Sequence, residues 1–219
     1  MDILYEDNHL IAVQKPHGLL TQGDATGDDS LFDQVKAFIK NREHKPGNVF
    51  LGLLHRLDRP VGGVVLFAKT SKAASRLSEQ FRNRSIEKVY WAVSEHKEKG
   101  DQSKAGEIVQ WLIKDEQKNM VTAYDHQLPG AQRAELSYLI LEDRGDTVLS
   151  EIRPKTGRPH QIRVALSSIG LPIIGDKKYG ASRRLPGGAI GLFARSLSFN
   201  HPIDKKRITV IAKPELAIF

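Results

Sequence analysis

Residues 64–68 read Val-Val-Leu-Phe-Ala, five apolar positions in a row. So short and uniformly apolar a run does not make a surface helix; it fits a strand buried on both faces. Such a strand needs covering layers, and the flanking segments supply them. Ile3-Leu4-Tyr5 and residues 9–14 read as two strands around a Glu6-Asp7-Asn8 turn. Residues 86–93, 108–113, 121–124, 134–141 and 147–153 carry strand-type patterns separated by turns, and strand-like pieces recur at 190–199, 201–202 and 208–212. Helical spacing is found in three places. Ser30 caps a helix that carries Leu31, Phe32, Val35, Phe38 and Ile39 and runs to about Lys40. Thr70 or Ser71 caps another over residues 72–83, with Ala73, Ala74, Leu77 and Phe81 on its apolar side. A third opens near Pro159, where proline is tolerated, with Pro159, Ile162, Leu166 and Ile169 as its buried stripe. Residues 22–29 read as a mobile loop, and residues 41–48 and 95–105 as charged loops. No internal repeat and no linker is visible, so one domain over residues 1–219 is expected.

The formal net charge is +7 and the pI is near 9.5, a balance that points to a polyanionic partner. Cysteine is absent, which excludes disulfides, thiolate metal sites and a cysteine nucleophile. The N-terminus lacks a basic region followed by an apolar core, so no signal peptide is read. No apolar run approaches the roughly 20 residues of a membrane helix, and a cytoplasmic protein without a membrane partner is expected. No long apolar patch or heptad is visible, which favours a monomer.

The chemistry concentrates in a few stretches. Ahead of the apolar run stands His55-Arg56-Leu57-Asp58-Arg59-Pro60-Val61-Gly62-Gly63. Three cations crowd one carboxylate there, and the arginines favour its charged form. A carboxylate on a loop at the mouth of a strand is a candidate nucleophile; a surface ion pair on a turn is the plainer alternative. Lys15 precedes Pro16-His17-Gly18 at a strand end, a useful place for a phosphate contact, although a solvated lysine is the plainer case. Lys88 and Tyr90 share one side of their strand, a pair suited to stacking a base and holding its phosphate. Lys155, Arg158, His160, Gln161 and Arg163 gather where a strand gives way to a glycine turn and a helix N-terminus, a natural phosphate site. Arg163 lies one residue off the helix stripe, so it turns inward only if a carboxylate awaits it.

Taken in order, these stretches resemble the RluA family of RNA pseudouridine synthases. The motifs are His55-Arg56-Leu57-Asp58 with Gly63 and Phe67-Ala68-Lys69; Lys88-Val89-Tyr90; Thr156-Gly157-Arg158-Pro159-His160-Gln161-Ile162-Arg163; and Gly175-Asp176 with Tyr179-Gly180. Lys15-Pro16-His17-Gly18 resembles the family's first motif, and the match runs from about residue 3 to about residue 213. The resemblance implies an α+β catalytic domain on a long, mixed, mostly antiparallel sheet flanked by helices around a basic cleft. It implies that uridines in ribosomal or transfer RNA are isomerised, with Asp58 as nucleophile, Tyr90 packed on the target uracil and Arg163 holding Asp58 ionised. Arg56 would help flip the nucleotide, and Arg59, Arg82, Arg84 and Arg158 would meet phosphates. His55, Lys15, Lys88, His160 and Gln161 complete the expected RNA contacts. No metal or organic cofactor is implied.

Two stretches depart from the family's pattern, at three residues. Val61-Gly62-Gly63 stand where a Thr-Ser-Gly turn is usual, and Ala165 stands where histidine is usual. No room is left for an N-terminal S4 domain, so RNA affinity is expected from the 72–84 helix, the Arg183-Arg184 loop and the Lys205-Lys206-Arg207 turn. One alternative is a catalytically silent RNA-binding protein on the same fold. Another is a carboxylate glycosidase, which needs a second acid from among Glu87, Glu151 and Asp176; the basic charge argues against a neutral sugar.

Overall fold

The computed structural model describes residues 1–44, 46–97 and 103–219, so the charged loops predicted at 41–48 and 95–105 lie partly outside the described residues. In chain order the elements are β1 (Ile3–Glu6), β2 (Leu10–Lys15), α1 (Leu31–Arg42), β3 (Gly52–Leu53), β4 (Gly62–Ala68), α2 (Ser71–Arg82), β5 (Glu87–Glu95) and β6 (Ala105–Asp115). There follow β7 (Met120–Tyr124), β8 (Gln132–Asp143), β9 (Thr147–Pro154), α3 (Gln161–Ser168), β10 (Leu192–Asn200) and β11 (Arg207–Ile211). They form two compact units, Met1–Glu87 with Ala194–Glu215 and Lys88–Phe193 with Leu216–Phe219. The class is α+β, with long antiparallel ladders in each unit.

In the first unit the apolar run becomes β4, and all seven of its residues are buried. It pairs antiparallel with β2, from Leu10 opposite Ala68 to Lys15 opposite Gly63, and β2 is buried along its whole length. Helix α1 contributes Leu31, Val35 and Ile39 to the core, and α2 contributes Ala73 and Leu77. Both helices start where the sequence predicts. Ser30 Oγ accepts from the Asp33 N–H and Thr70 Oγ1 from the Ala73 N–H, each satisfying a donor that the first turn leaves without a partner. Gly63 has φ +121°, and a Cβ there would lie 2.3 Å from the Ala194 carbonyl oxygen, so only glycine lets the two backbones approach.

The second unit is an antiparallel sheet in the order β5-β9-β8-β6-β7. Register places Tyr90 beside Ile152, Ile152 beside Tyr138 and Tyr138 beside Gly106, one row across four strands. The Tyr138 ring fills the space over Gly106, 2.9 Å from where a Cβ would sit. Leu112, Val121 and Ala134 share that face by alternation, and there they pack with Val164 of α3 and with Tyr179. Tyr90 and Arg163 therefore belong to the same side of one sheet.

Helix α3 corrects the sequence reading. It begins at Gln161, Pro159 is exposed, and His160 is the N-cap in left-handed conformation (φ 51°) without a side-chain cap bond. The cause is Gln161, whose Oε1 accepts from Thr156 Oγ1 (2.7 Å) and from the Arg158 N–H (3.0 Å) and so prolongs the preceding turn. All six residues from Gln161 to Leu166 are buried, so the helix has no one-sided stripe. Residues 201–202 form a turn, not a strand.

Candidate active site

Asp58 lies on the loop between β3 and β4, and a single upstream turn holds the backbone on both sides of it. Before Asp58, Thr21 Oγ1 donates to the Leu57 carbonyl (2.8 Å) and accepts from the Leu57 N–H (3.1 Å). After it, the Arg59 carbonyl accepts from the Gly18 N–H (2.9 Å) and from Lys15 Nζ (3.1 Å), while Arg59 Nε returns a bond to the Gly18 carbonyl (3.0 Å). The Val61 N–H closes the loop on the Asp58 carbonyl at 3.0 Å.

Lys15 is the centre of this clamp. The sequence reading places it among phosphate contacts, but its side chain is fully buried. Its ammonium donates to the carbonyls of Pro16 (3.0 Å), Leu19 (2.6 Å) and Arg59. Burial pushes its pKa down to about 7, against the opposing pull of the Asp58 charge. A lysine in the unfolded chain titrates near 10.5, so between the two values the unfolded chain holds the extra proton. Stability is therefore expected to rise with pH across that interval. Lys15→Met should abolish the rise, as urea midpoints at about pH 6.5 and about pH 9.5 will show.

His55 also has a fold role: Nε2 accepts the Leu66 N–H (3.0 Å) and the ring stacks on Phe81 with centroids 5.1 Å apart. Arg56 and Arg59 are exposed. Arg59 pairs with Asp28 at 2.8 Å, both about half exposed, an interaction weak enough for another anion to replace.

The Val61-Gly62-Gly63 departure has a steric explanation. A Cβ on Gly62 would lie 2.6 Å from the His17 ring, which packs flush on the glycine. The serine usual in the family would displace that ring. Gly62→Ser is expected to destabilise the protein by about 1–3 kcal/mol, and adding His17→Ala should recover much of the loss in a urea titration.

In the second unit Tyr90 is partly buried on β5. Lys88 lies on the same face and reaches the turn before α3, its Nζ 3.4 Å from where a Cβ on Gly157 would sit. Arg163 meets the carboxylate that its inward turn requires. Nε donates to Asp176 Oδ2 (2.7 Å) and Nη2 to Asp176 Oδ1 (2.9 Å), with side-chain exposures of 8% and 2%. Its guanidinium carbon also lies 5.1 Å from the Tyr179 ring centroid, a cation–π contact. Tyr179 Oη accepts the Val121 N–H and meets His160 Nδ1 at 2.7 Å.

The five polar groups near residue 160 do not converge on one phosphate pocket. Lys155 pairs with Glu107 (2.9 Å), and Arg158 Nε donates to the Arg133 carbonyl (3.3 Å). Gln161 is buried, and its Nε2 donates to the Glu135 carbonyl, so this predicted RNA contact instead holds a turn. Asp176, Tyr179 and Thr21 are missed as site residues by reasoning from the sequence. The one signal for the first two was the Gly175-Asp176 and Tyr179-Gly180 pair within the family motifs.

The α+β fold, with long antiparallel ladders in each unit, is that of a known class of protein. A family model described as RNA pseudouridylate synthase matches residues 9–168, and the chain belongs to that family. It is 32% identical to the ribosomal large subunit pseudouridine synthase C of Vibrio cholerae over 97% of this chain and 65% of that protein. It is 33% identical to the tRNA pseudouridine synthase C of Haemophilus ducreyi, over 97% of this chain and 90% of the relative. The structure of human RNA pseudouridylate synthase domain containing 4 matches with a TM-score of 0.80 and 26% identity, covering 98% of this chain and 89% of that one. The chain thus spans just under two thirds of the length of the Vibrio relative.

Proposed function

We propose that the chain isomerises specific uridines to pseudouridine in structured RNA, ribosomal or transfer. Family membership supports this, and the relatives' names include both substrate classes. The observation that carries it is the clamp around Asp58, whose backbone is fixed at Leu57 and Arg59 by one turn. A nucleophile held at fixed position avoids the ordering cost of reaching its target.

The reaction breaks the N1–C1′ bond of uridine, turns the base and forms a C5–C1′ bond; C5 loses a proton and N1 gains one, so no oxidant is needed. The base must leave the stack to be reached. Asp58 is the nucleophile, and attack at C1′, attack at C6 or removal of the C2′ proton all suit a carboxylate. Tyr90 packs on the uracil, Arg163 is the basic partner of Asp58, and Arg56 takes part in flipping the nucleotide. Arg59, Arg158 and Lys88 meet phosphates. The protein works as a cytoplasmic monomer; among the described residues no helix is long and apolar enough to cross a membrane.

The test is a pseudouridine map of ribosomal and transfer RNA from cells lacking the protein. One or a few sites should vanish and return with the wild type. An unchanged map from cells whose purified protein still binds RNA would replace this reading with that of a silent RNA-binding module.

A further inference from the structure

Residues 176–184 read Asp-Lys-Lys-Tyr-Gly-Ala-Ser-Arg-Arg, and both ends of this loop are fastened by buried carboxylates. At the start, Asp176 is held by Arg163, and its own carbonyl accepts from the N–H groups of Tyr179 (3.0 Å) and Ala181 (3.1 Å). At the far end stands Glu95, the last residue of β5 and 6% exposed. Its carboxylate accepts three bonds: from the Ser182 N–H (2.7 Å), Ser182 Oγ (2.6 Å) and the Arg183 N–H (2.9 Å). Burial alone would raise the Glu95 pKa, but these bonds outweigh it and hold the group below the usual carboxylate range.

The loop fastened in this way displays cations. Lys177, Lys178, Arg183 and Arg184 are exposed, and Lys97 joins them, its Nζ 2.9 Å from where a Cβ on Gly180 would sit. Lys177 and Lys178 donate to the Ser182 and Asn119 carbonyls, which orders them without neutralising them. The exposed carboxylate in contact with the loop is Asp146, 3.2 Å from Arg183 Nη2 in a pair with exposures of 48% and 82%. Such a pair contributes little and yields readily to a phosphate. Glu95 and Asp176 are already committed inside the fold.

We propose that the 177–184 loop is a binding surface for the phosphates of RNA flanking the target uridine, and that Glu95 is the positioning residue that fixes it. The proposal rests on the functional reading above and extends it. A cation held on an ordered backbone loses less freedom on binding, so the buried carboxylate sets the affinity of arginines it does not touch through their side chains.

The test uses unmodified transfer RNA and large-subunit ribosomal RNA transcribed in vitro. Binding is measured against salt concentration, and turnover is measured on the same transcripts. Arg183→Ala/Arg184→Ala should lower the slope of log affinity against log salt by about 1.4–1.8, the loss of two phosphate contacts. It should raise KM by about tenfold at 0.1 M salt, with most of the loss in KM rather than kcat. Glu95→Ala should reproduce part of the KM rise with both arginines present, and Ser182→Ala, which removes one of three bonds, a smaller part. An unchanged slope and KM in the arginine double variant, with the wild type active, would overturn the loop's role alone. Wild-type protein that neither binds nor converts these RNAs would overturn both readings.

Discussion

Asp58→Ala lowers pseudouridine formation by about a thousandfold or more, while RNA affinity stays near the wild-type value. This follows from the loop's construction. The bonds from Thr21, Gly18, Lys15 and Val61 all go to backbone groups of Leu57, Asp58 and Arg59, so the loop keeps them when the carboxylate is removed. The exposed arginines on either side, Arg56 and Arg59, are untouched by the change. Asp58→Asn, nearly the same in shape, should be as inactive, because an amide is a poor nucleophile. Complementation of a deletion strain by each variant, read on the pseudouridine map, checks the result in cells. Retained turnover by either variant would remove Asp58 from the chemistry.

The second large effect is on stability. Asp176→Ala takes from Arg163 the carboxylate that receives two of its N–H groups, at a site where both side chains are almost wholly buried. Breaking a buried ion pair from one side costs about 3–5 kcal/mol, a large fraction of the stability of a chain this size. The urea midpoint should fall accordingly. Replacing both partners by apolar residues of similar volume, Arg163→Met/Asp176→Leu, should recover much of that loss. Turnover should stay low in the double variant, because Arg163 is also the proposed partner of Asp58. Recovery of both stability and activity would show that the pair serves the fold alone.

The strands and helices were legible because their signals are local. Ser30 and Thr70 cap the helices they precede, and the five apolar residues of 64–68 are buried as a central strand. The site was legible only in part. Asp58, Tyr90 and Arg163 are proposed from motifs alone, whereas the need of Arg163 for a buried carboxylate, met by Asp176, could be argued from helical position. Which carboxylate it was could not, since Asp176 is thirteen residues away across a turn. Lys15, His55 and Gln161 were read as RNA contacts because polar groups beside a catalytic motif invite that reading. Their hydrogen bonds go to carbonyls, a backbone N–H and a turn, and such partners leave no trace in periodicity. The chain passes between the two compact units at Glu87–Lys88, Phe193–Ala194 and Glu215–Leu216, and the first two crossings fall within strands β5 and β10, where strand-type sequence carries no sign of a division.

The clamp around Asp58 also has a temporal side. Thr21 reaches Leu57 across 36 positions and Lys15 reaches Arg59 across 44. Contacts so distant along the chain close late in folding, because each must overcome the entropy of the loop between its ends. During synthesis the turn emerges from the ribosome well before the loop it will grip. The Asp58 loop takes the backbone geometry described above only once this half of the molecule has folded around it. A chain in which this half has not yet folded carries the Asp58 side chain without the backbone bonds that fix its loop.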